Sequence, residues 1–303
     1  MRVVFMGTPD FAVPSLRALA AGHQVVLCVT RPDAVRGRGK RLEPSPVKAA
    51  ALELGVPVEE AKRVSPELIQ QIADLAPDVI AVAAYGAILP DALFPVAPLG
   101  CVNVHGSLLP RWRGAAPIQR AILAGDERVG ISIMRIAHDL DAGAYCRQAS
   151  TPVGEKPCGQ IMQELAELGA RELVAALDEL AAGTAVWTEQ DQALVTFSPK
   201  ISKDEMKLDP ADSARANRLR VQASMDAAPA RASVCGKGVR VMDARVAEAD
   251  VAPGCVLASH GRVWLGCADG ALELLEVKPD GKRQMPAAAW SAGLRGSLAW
   301  ERA

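Results

Sequence analysis

What this 303-residue sequence lacks sets its first limits. It has almost no net charge: 34 Lys and Arg stand against 35 Asp and Glu, formally −1. No bulk field therefore draws the chain to nucleic acid or to a membrane, and any polyanion binding must come from a local patch. The seven cysteines are odd in number and no two are spaced as Cys-x-x-Cys. That argues against a disulfide framework and against a zinc ribbon, and the expectation is reduced, mostly buried thiols in a cytosolic protein. No apolar run approaches the ~20 residues that span a bilayer. The run at 3–6, stopped by Gly7-Thr8-Pro9, is too short for a signal-peptide core. The His-Glu-x-x-His zinc motif, the phosphate-binding P-loop and the G-x-G-x-x-G dinucleotide fingerprint are all missing. There are no internal repeats and no low-complexity tract. What remains, half hydrophobic and 23% charged, is the composition of a folded chain rather than a disordered one.

The first half alternates short apolar runs with helical patterns. Residues 3–6, 25–29, 79–83 and 101–105 read as buried strands, because they show no polar alternation. Residues 11–21, 46–54 and 65–75 read as helices. Ser45-Pro46 and Ser65-Pro66 supply a cap and a first-turn proline for the second and third of these. Strands separated by helices predict a parallel sheet covered on both faces, a doubly wound α/β domain. A long helix over 159–180 closes this part, and 183–203 reads as a linker. Beyond it, turn dipeptides recur at Gly236, His260-Gly261, Asp269-Gly270 and Asp280-Gly281, with short apolar runs between them. That texture predicts a small antiparallel barrel or sandwich. The organisation expected is thus 1–188, a linker at 189–203, and a smaller β domain over 204–303.

Open α/β sheets bind ligands beyond the carboxyl ends of their strands, and the segment 100–110 lies at such an end. Side chains alternate along a strand, so Asn103 and His105 share one face while Val102 and Val104 share the other. A polar pair on a buried strand is costly unless paired or used. It is either a hydrogen-bonded core feature or a site where an amide stabilises an oxyanion and an imidazole moves a proton. Asp139 and Asp141 follow the strand expected at 130–136. Asp141, just before Ala142-Gly143, stands where a tight loop can turn it inward, whereas a solvated carboxylate is the default for Asp139. Ser107, Leu108, Leu109 and Pro110 form either an apolar wall for a flat heteroaromatic ligand or an ordinary loop. Arg111-Trp112-Arg113 precedes a helix that starts at Pro117, and reads as Trp packing with solvated arginines or as an anion contact. The Gly-rich basic loop 31–41, with Arg36, Arg38, Lys40 and Arg41, is either solvated or a binder of phosphates.

Taken together, Gly7-Thr8-Pro9-Asp10-Phe11-Ala12, the loop Gly37-Arg38-Gly39-Lys40, Ala84-Tyr85-Gly86, the stretch from Asn103 to Gln119 and Leu140-Asp141-Ala142-Gly143 resemble the methionyl-tRNA formyltransferases. The Asn-x-His and Ser-Leu-Leu-Pro core is shared with the wider 10-formyltetrahydrofolate-dependent transferases. The likeness is close over about 1–145 and looser beyond. It implies a Rossmann-like catalytic domain and a C-terminal oligonucleotide-binding-like barrel. It implies Asn103, His105 and Asp141 as catalytic residues, with Ser107 to Pro110 against the folate. It also implies the basic loop against the acceptor arm of the initiator methionyl-tRNA. 10-Formyltetrahydrofolate would be consumed as the formyl donor, with no metal and no membrane partner, in a cytoplasmic monomer. The C-terminal part departs from the family in two ways. Residues 221–229 lack the expected aromatic, Pro and Trp content, and 201–303 hold 15 Lys and Arg against 13 Asp and Glu, a faint positive balance for a tRNA-binding domain.

Overall fold

The computed structural model describes residues 1–36, 41–294 and 298–303, with Arg36 and Arg41 described by their backbone only. The chain divides into two compact units. One comprises 1–117, 128–152 and 162–198, and the other 118–127, 153–161 and 199–303.

The first unit is built on a seven-stranded sheet. Its strands are β1 (Arg2–Gly7), β2 (Gln24–Thr30), β3 (Val58–Glu60), β4 (Val79–Ala83), β5 (Cys101–His105), β6 (Arg128–Arg135) and β7 (Tyr145–Pro152), in the spatial order β3-β2-β1-β4-β5-β6-β7. The five strands from β3 to β5 are parallel, whereas β6 runs antiparallel to β5 and β7 antiparallel to β6. The Val, Ile and Phe runs of β1 and β4 are buried on both faces, as the sequence predicts. The strands β3 and β7 escape that reading: β3 has three residues, and β7 is polar and only half-buried.

Helices α1 (Val13–Gly22), α2 (Pro46–Glu53) and α3 (Pro66–Asp74) connect the parallel strands. Ser45 accepts a hydrogen bond from the Lys48 amide at 3.0 Å, and Ser65 one from the Leu68 amide at 3.3 Å, so both expected caps form. A short helix α4 (Pro117–Leu123) begins at the proline read as its start. The long helix α5 (Cys158–Ala182) buries Ile161, Leu165, Leu173 and Leu177. It crosses the sheet behind β5, where Gly169 makes the close approach possible. A Cβ there would lie 2.7 Å from Val104 Cγ1. Val104 is thereby committed to the core, which leaves the opposite face of β5 to Asn103 and His105.

The second unit carries α6 (Ala214–Gln222), capped by Ser213, and an antiparallel sheet. Its strands are β8 (Arg231–Val234), β9 (Lys237–Ala247), β10 (Val256–Ser259), β11 (Arg262–Cys267), β12 (Gly270–Pro279) and β13 (Trp300–Arg302), ordered β10-β11-β12-β9-β8-β13, with a seventh, two-residue strand Met285–Pro286 paired to β12 off this path. The sheet curls until its ends meet: the Val256 amide donates to the Leu298 carbonyl at 2.7 Å and the Trp300 amide to the Gly254 carbonyl at 2.8 Å. Inside lie Val239, Val241, Val263, Leu265, Leu272, Leu274, Trp290 and Trp300. The Trp300 indole N–H is satisfied by the Gly266 carbonyl at 2.8 Å.

One buried charge stands on this sheet. Glu273 takes Arg262 Nε at 2.7 Å and Arg245 Nε at 2.8 Å. Arg262 foremost, with Arg245, holds its carboxyl down at about 2, although burial pushes the other way. A carboxyl depressed on folding stabilises above its ordinary value, and that stability drains away as pH falls toward the folded value. The arginines are half exposed, so solvent trims the gain. Glu273→Gln is expected to destabilise the protein at pH 7 by on the order of 1–3 kcal/mol. In thermal melts the gap to the native chain closes as pH drops from the ordinary carboxyl value of 4.5 to about 2. A gap that is the same at all pH values would refute this account.

Candidate active site

The strand order reverses direction at β1/β4, with the later strands added on the β4 side, and the polar pair sits at the carboxyl end of β5. His105 is buried and Asn103 is half-buried. Two residues along a strand set their Cα atoms about 6–7 Å apart, on one face. The Asn103 amide has no hydrogen-bond partner among the described residues, so both its donors and its oxygen are free for a ligand.

The imidazole is held differently. His105 Nε2 lies 3.0 Å from the Trp112 carbonyl oxygen. A carbonyl only accepts, so the proton of the neutral ring sits on Nε2 and Nδ1 carries the lone pair. Nδ1 faces Asp141 Oδ2 at 3.6 Å. That separation is too long for a direct hydrogen bond, so the ring nitrogen and the carboxylate face each other without being joined. The same Oδ2 accepts the Gly114 amide at 2.9 Å. Asp141 is turned inward by a left-handed backbone, φ 47°, as the Ala142-Gly143 sequence suggests. Asp139 sits on the exposed side of the same loop.

Residues 112–114 thus serve both functional groups, and they are fixed by a stretch read from the sequence as linker. The strand Phe197–Ser198 pairs in parallel with Arg113–Gly114. Thr196 Oγ1 accepts the Trp112 amide at 2.9 Å, and its carbonyl accepts the Arg113 amide at 2.9 Å. Ser198 Oγ lies 3.2 Å from the Trp112 oxygen and 3.0 Å from the Arg113 oxygen. Gly114 has φ 120°, and a Cβ on it would fall 2.9 Å from the Ser198 carbonyl oxygen. Only glycine permits this approach. Arg113 is buried and gives its Nε to Gln190 Oε1 at 2.9 Å, so it is not a solvated arginine; Arg111 stacks on the Trp112 ring at 4.5 Å.

The wall at 107–110 is also a built element. The Leu109 amide donates to Ser132 Oγ at 3.1 Å, and Gln148 Nε2 donates to the Leu109 carbonyl at 2.9 Å. Ser132 Oγ donates to the Ser107 carbonyl at 2.7 Å, and the Ser107 hydroxyl to the Arg111 carbonyl at 2.7 Å. Ser107 and Leu109 are therefore buried, and the Leu109 backbone is fully paired rather than exposed; Leu108 and Pro110 keep partly open surfaces. Ser132, within the apolar run of β6, carries the same signal as Asn103 and could have been singled out. Gln148, Gln190, Thr196 and Ser198 carry no such signal, because their partners are almost all backbone groups of distant segments.

No thiol is ready to act as a nucleophile nearby. Cys101, on the same strand, is pushed up to about 12 by burial. No cluster of His, Cys, Asp or Glu among the described residues could hold a metal. Of the basic loop, Arg38 and Lys40 lie outside the described residues, as do the side chains of Arg36 and Arg41. Arg36 and Arg41 close a two-stranded ribbon, Ala34–Arg36 with Arg41–Glu43, that follows β2.

Residues 1–177 match the family model described as formyl transferase, and residues 200–295 match that of the formyl transferase C-terminal domain. The chain belongs to the formyl transferase family. It is 44% identical over 292 residues, 95% of each chain, to the methionyl-tRNA formyltransferase of Methylococcus capsulatus. Its fold matches HypX from Aquifex aeolicus in complex with tetrahydrofolic acid, with a TM-score of 0.64 and 20% identity over 96% of this chain and 46% of HypX. It also matches an N-formyltransferase from Helicobacter canadensis in complex with folinic acid and dTDP-3-aminofucose, at TM-score 0.67 and 12% identity over 93% and 99% of the two chains.

Gly114→Ala is expected to push residues 112–114 off Ser198 and to pull the Gly114 amide from Asp141. Any formyl transfer should fall by on the order of 10–100-fold, with a folded protein by circular dichroism. Unchanged turnover would mean that the Gly114 contact does not set the site.

Proposed function

We propose that this chain transfers the formyl group of 10-formyltetrahydrofolate to the free α-amino group of methionine on initiator methionyl-tRNA. The observation that carries the reading is the unpartnered Asn103 amide beside the His105–Asp141 pair, in a chain whose 44% identity to a methionyl-tRNA formyltransferase runs through both units.

The amine attacks the formyl carbon and an oxyanion forms. Asn103 donates to that oxyanion, where a fixed dipole needs no reorganisation. The folate nitrogen must leave with a proton, and the amine must lose one. His105 and Asp141 share this transfer, with Nδ1 as the ring atom not committed to the backbone. Cys101 stays protonated, so a covalent formyl–enzyme step has no nucleophile on this strand. Leu108 and Pro110 offer the pterin an apolar surface, with Ser107 and Leu109 holding the loop in shape. The first unit, which runs on through 162–198, carries this chemistry, and 204–303 contribute tRNA contacts. Arg36, Arg38, Lys40 and Arg41 bind phosphates of the acceptor arm. The protein works in the cytoplasm as a monomer; no helix among the described residues is long and apolar enough to cross a membrane.

The test is transfer of labelled formyl from 10-formyltetrahydrofolate to Met-tRNA, with free methionine and glycinamide ribotide as comparison acceptors. Met-tRNA should be used and the small amines ignored; the reverse preference would sink the proposal. Asn103→Ala, His105→Ala and Asp141→Asn should each cut turnover by on the order of 100-fold or more, with melting temperatures near native. A variant that keeps normal turnover removes its residue from the mechanism.

Replacing Arg36, Arg38, Lys40 and Arg41 by Ala should weaken Met-tRNA binding and flatten its salt dependence, since fewer counterions are released. Folate binding should not change. An unaltered salt slope would show that the ribbon does not hold the tRNA.

A further inference from the structure

The stretch 187–198 is bound along its length to the segments that build the site. The Trp187 ring lies under the Arg135 guanidinium at 4.0 Å. Thr188 and Tyr145 exchange backbone hydrogen bonds of 2.8 and 3.0 Å. Thr196 and Ser198 fix residues 112–114, as described. Between these anchors stands Gln190, a glutamine that is 5% exposed and whose polar atoms are all engaged.

Gln190 Nε2 donates to two carbonyls, Asp141 O at 2.8 Å and Gly143 O at 2.8 Å. Its Oε1 accepts Arg113 Nε at 2.9 Å. The orientation of the amide is forced. Flipped, its oxygen would face two carbonyl oxygens and its NH2 a guanidinium, with every contact repulsive. Gln190 is therefore a three-way tie. One end grips the loop that carries Asp141; the other grips Arg113, between the carbonyl that holds His105 Nε2 and the amide that holds Asp141 Oδ2.

The loop at Asp141 needs such a tie. Its backbone is left-handed at a residue with a Cβ, a conformation that surrounding structure has to impose. Its carboxylate stands 3.6 Å from His105 Nδ1, a separation set by how the two loops are spaced and not by a direct hydrogen bond between the two side chains. We infer that Gln190 is a positioning residue for formyl transfer, which sets the spacing of His105 and Asp141 by clamping the 139–143 loop to residues 112–114. The inference rests on the proposed function. It predicts that Gln190 acts on the chemical step through Asp141, and on neither substrate directly.

The experiment is a double-mutant cycle on the full chain, with single-turnover formyl transfer at saturating 10-formyltetrahydrofolate and Met-tRNA. Gln190→Met keeps the length and volume but removes all three contacts. It should lower the rate by on the order of 10–100-fold, with KM for both substrates within about 3-fold of native. In an Asp141→Asn background the same change should cost less than about 3-fold further, because residues that act as a unit are not additive. Should Gln190→Met fail to fold, Gln190→Glu serves. It keeps the acceptor for Arg113 but loses the amide donors to the Asp141 and Gly143 carbonyls, and it should show the same non-additive loss. Additive losses, or a loss confined to KM, overturn the positioning role while leaving the activity intact. Absence of transfer by the native chain overturns the functional reading itself, and this inference with it.

Discussion

The hydrogen bond between His105 and the Trp112 carbonyl governs the arrangement of this site. It commits Nε2, and so decides which ring nitrogen is left to work. It also demands that a main-chain carbonyl point into the sheet face from a residue held at φ 67°. A backbone group in that posture must itself be supported. The support is the two-residue strand Phe197–Ser198, with Thr196 and Ser198 satisfying the amides and carbonyls that the turn exposes. The buried imidazole is thus oriented by backbone, whose position is insensitive to rotamer changes, and the carboxylate is left slightly apart at a distance suited to electrostatics.

The sheet supplies the rest by alternation. Val102 and Val104 fill the face under α5, which Gly169 brings close, and Asn103 and His105 take the other by default. Antiparallel β6 then places Ser132 opposite His105 in the strand register. One serine hydroxyl there ties β6 to the Ser107–Leu109 wall.

Much of this was legible in the amino-acid order. The parallel strands announced themselves through unbroken apolar runs, and the helices through Ser-Pro starts. The pair Asn103 and His105 stood out because polar groups on a buried strand are costly. The strands β3 and β7 were not legible, the first too short and the second too polar to differ from loop. Residues 183–203 read as linker for a related reason. Gln190, Thr196 and Ser198 form their bonds to backbone atoms more than forty positions away, and such partners leave no periodicity. The distance between Asp141 and His105 likewise follows from loops packed by that stretch, and so could not be read from spacing.

The second unit's sheet closes on itself through Val256, Leu298, Gly254 and Trp300. An open sheet of such apolar content would present two rows of unpaired amides and carbonyls to any other chain. Closure spends those groups internally. The step that joins the last strand to the first is therefore also the step that ends the hazard of intermolecular pairing.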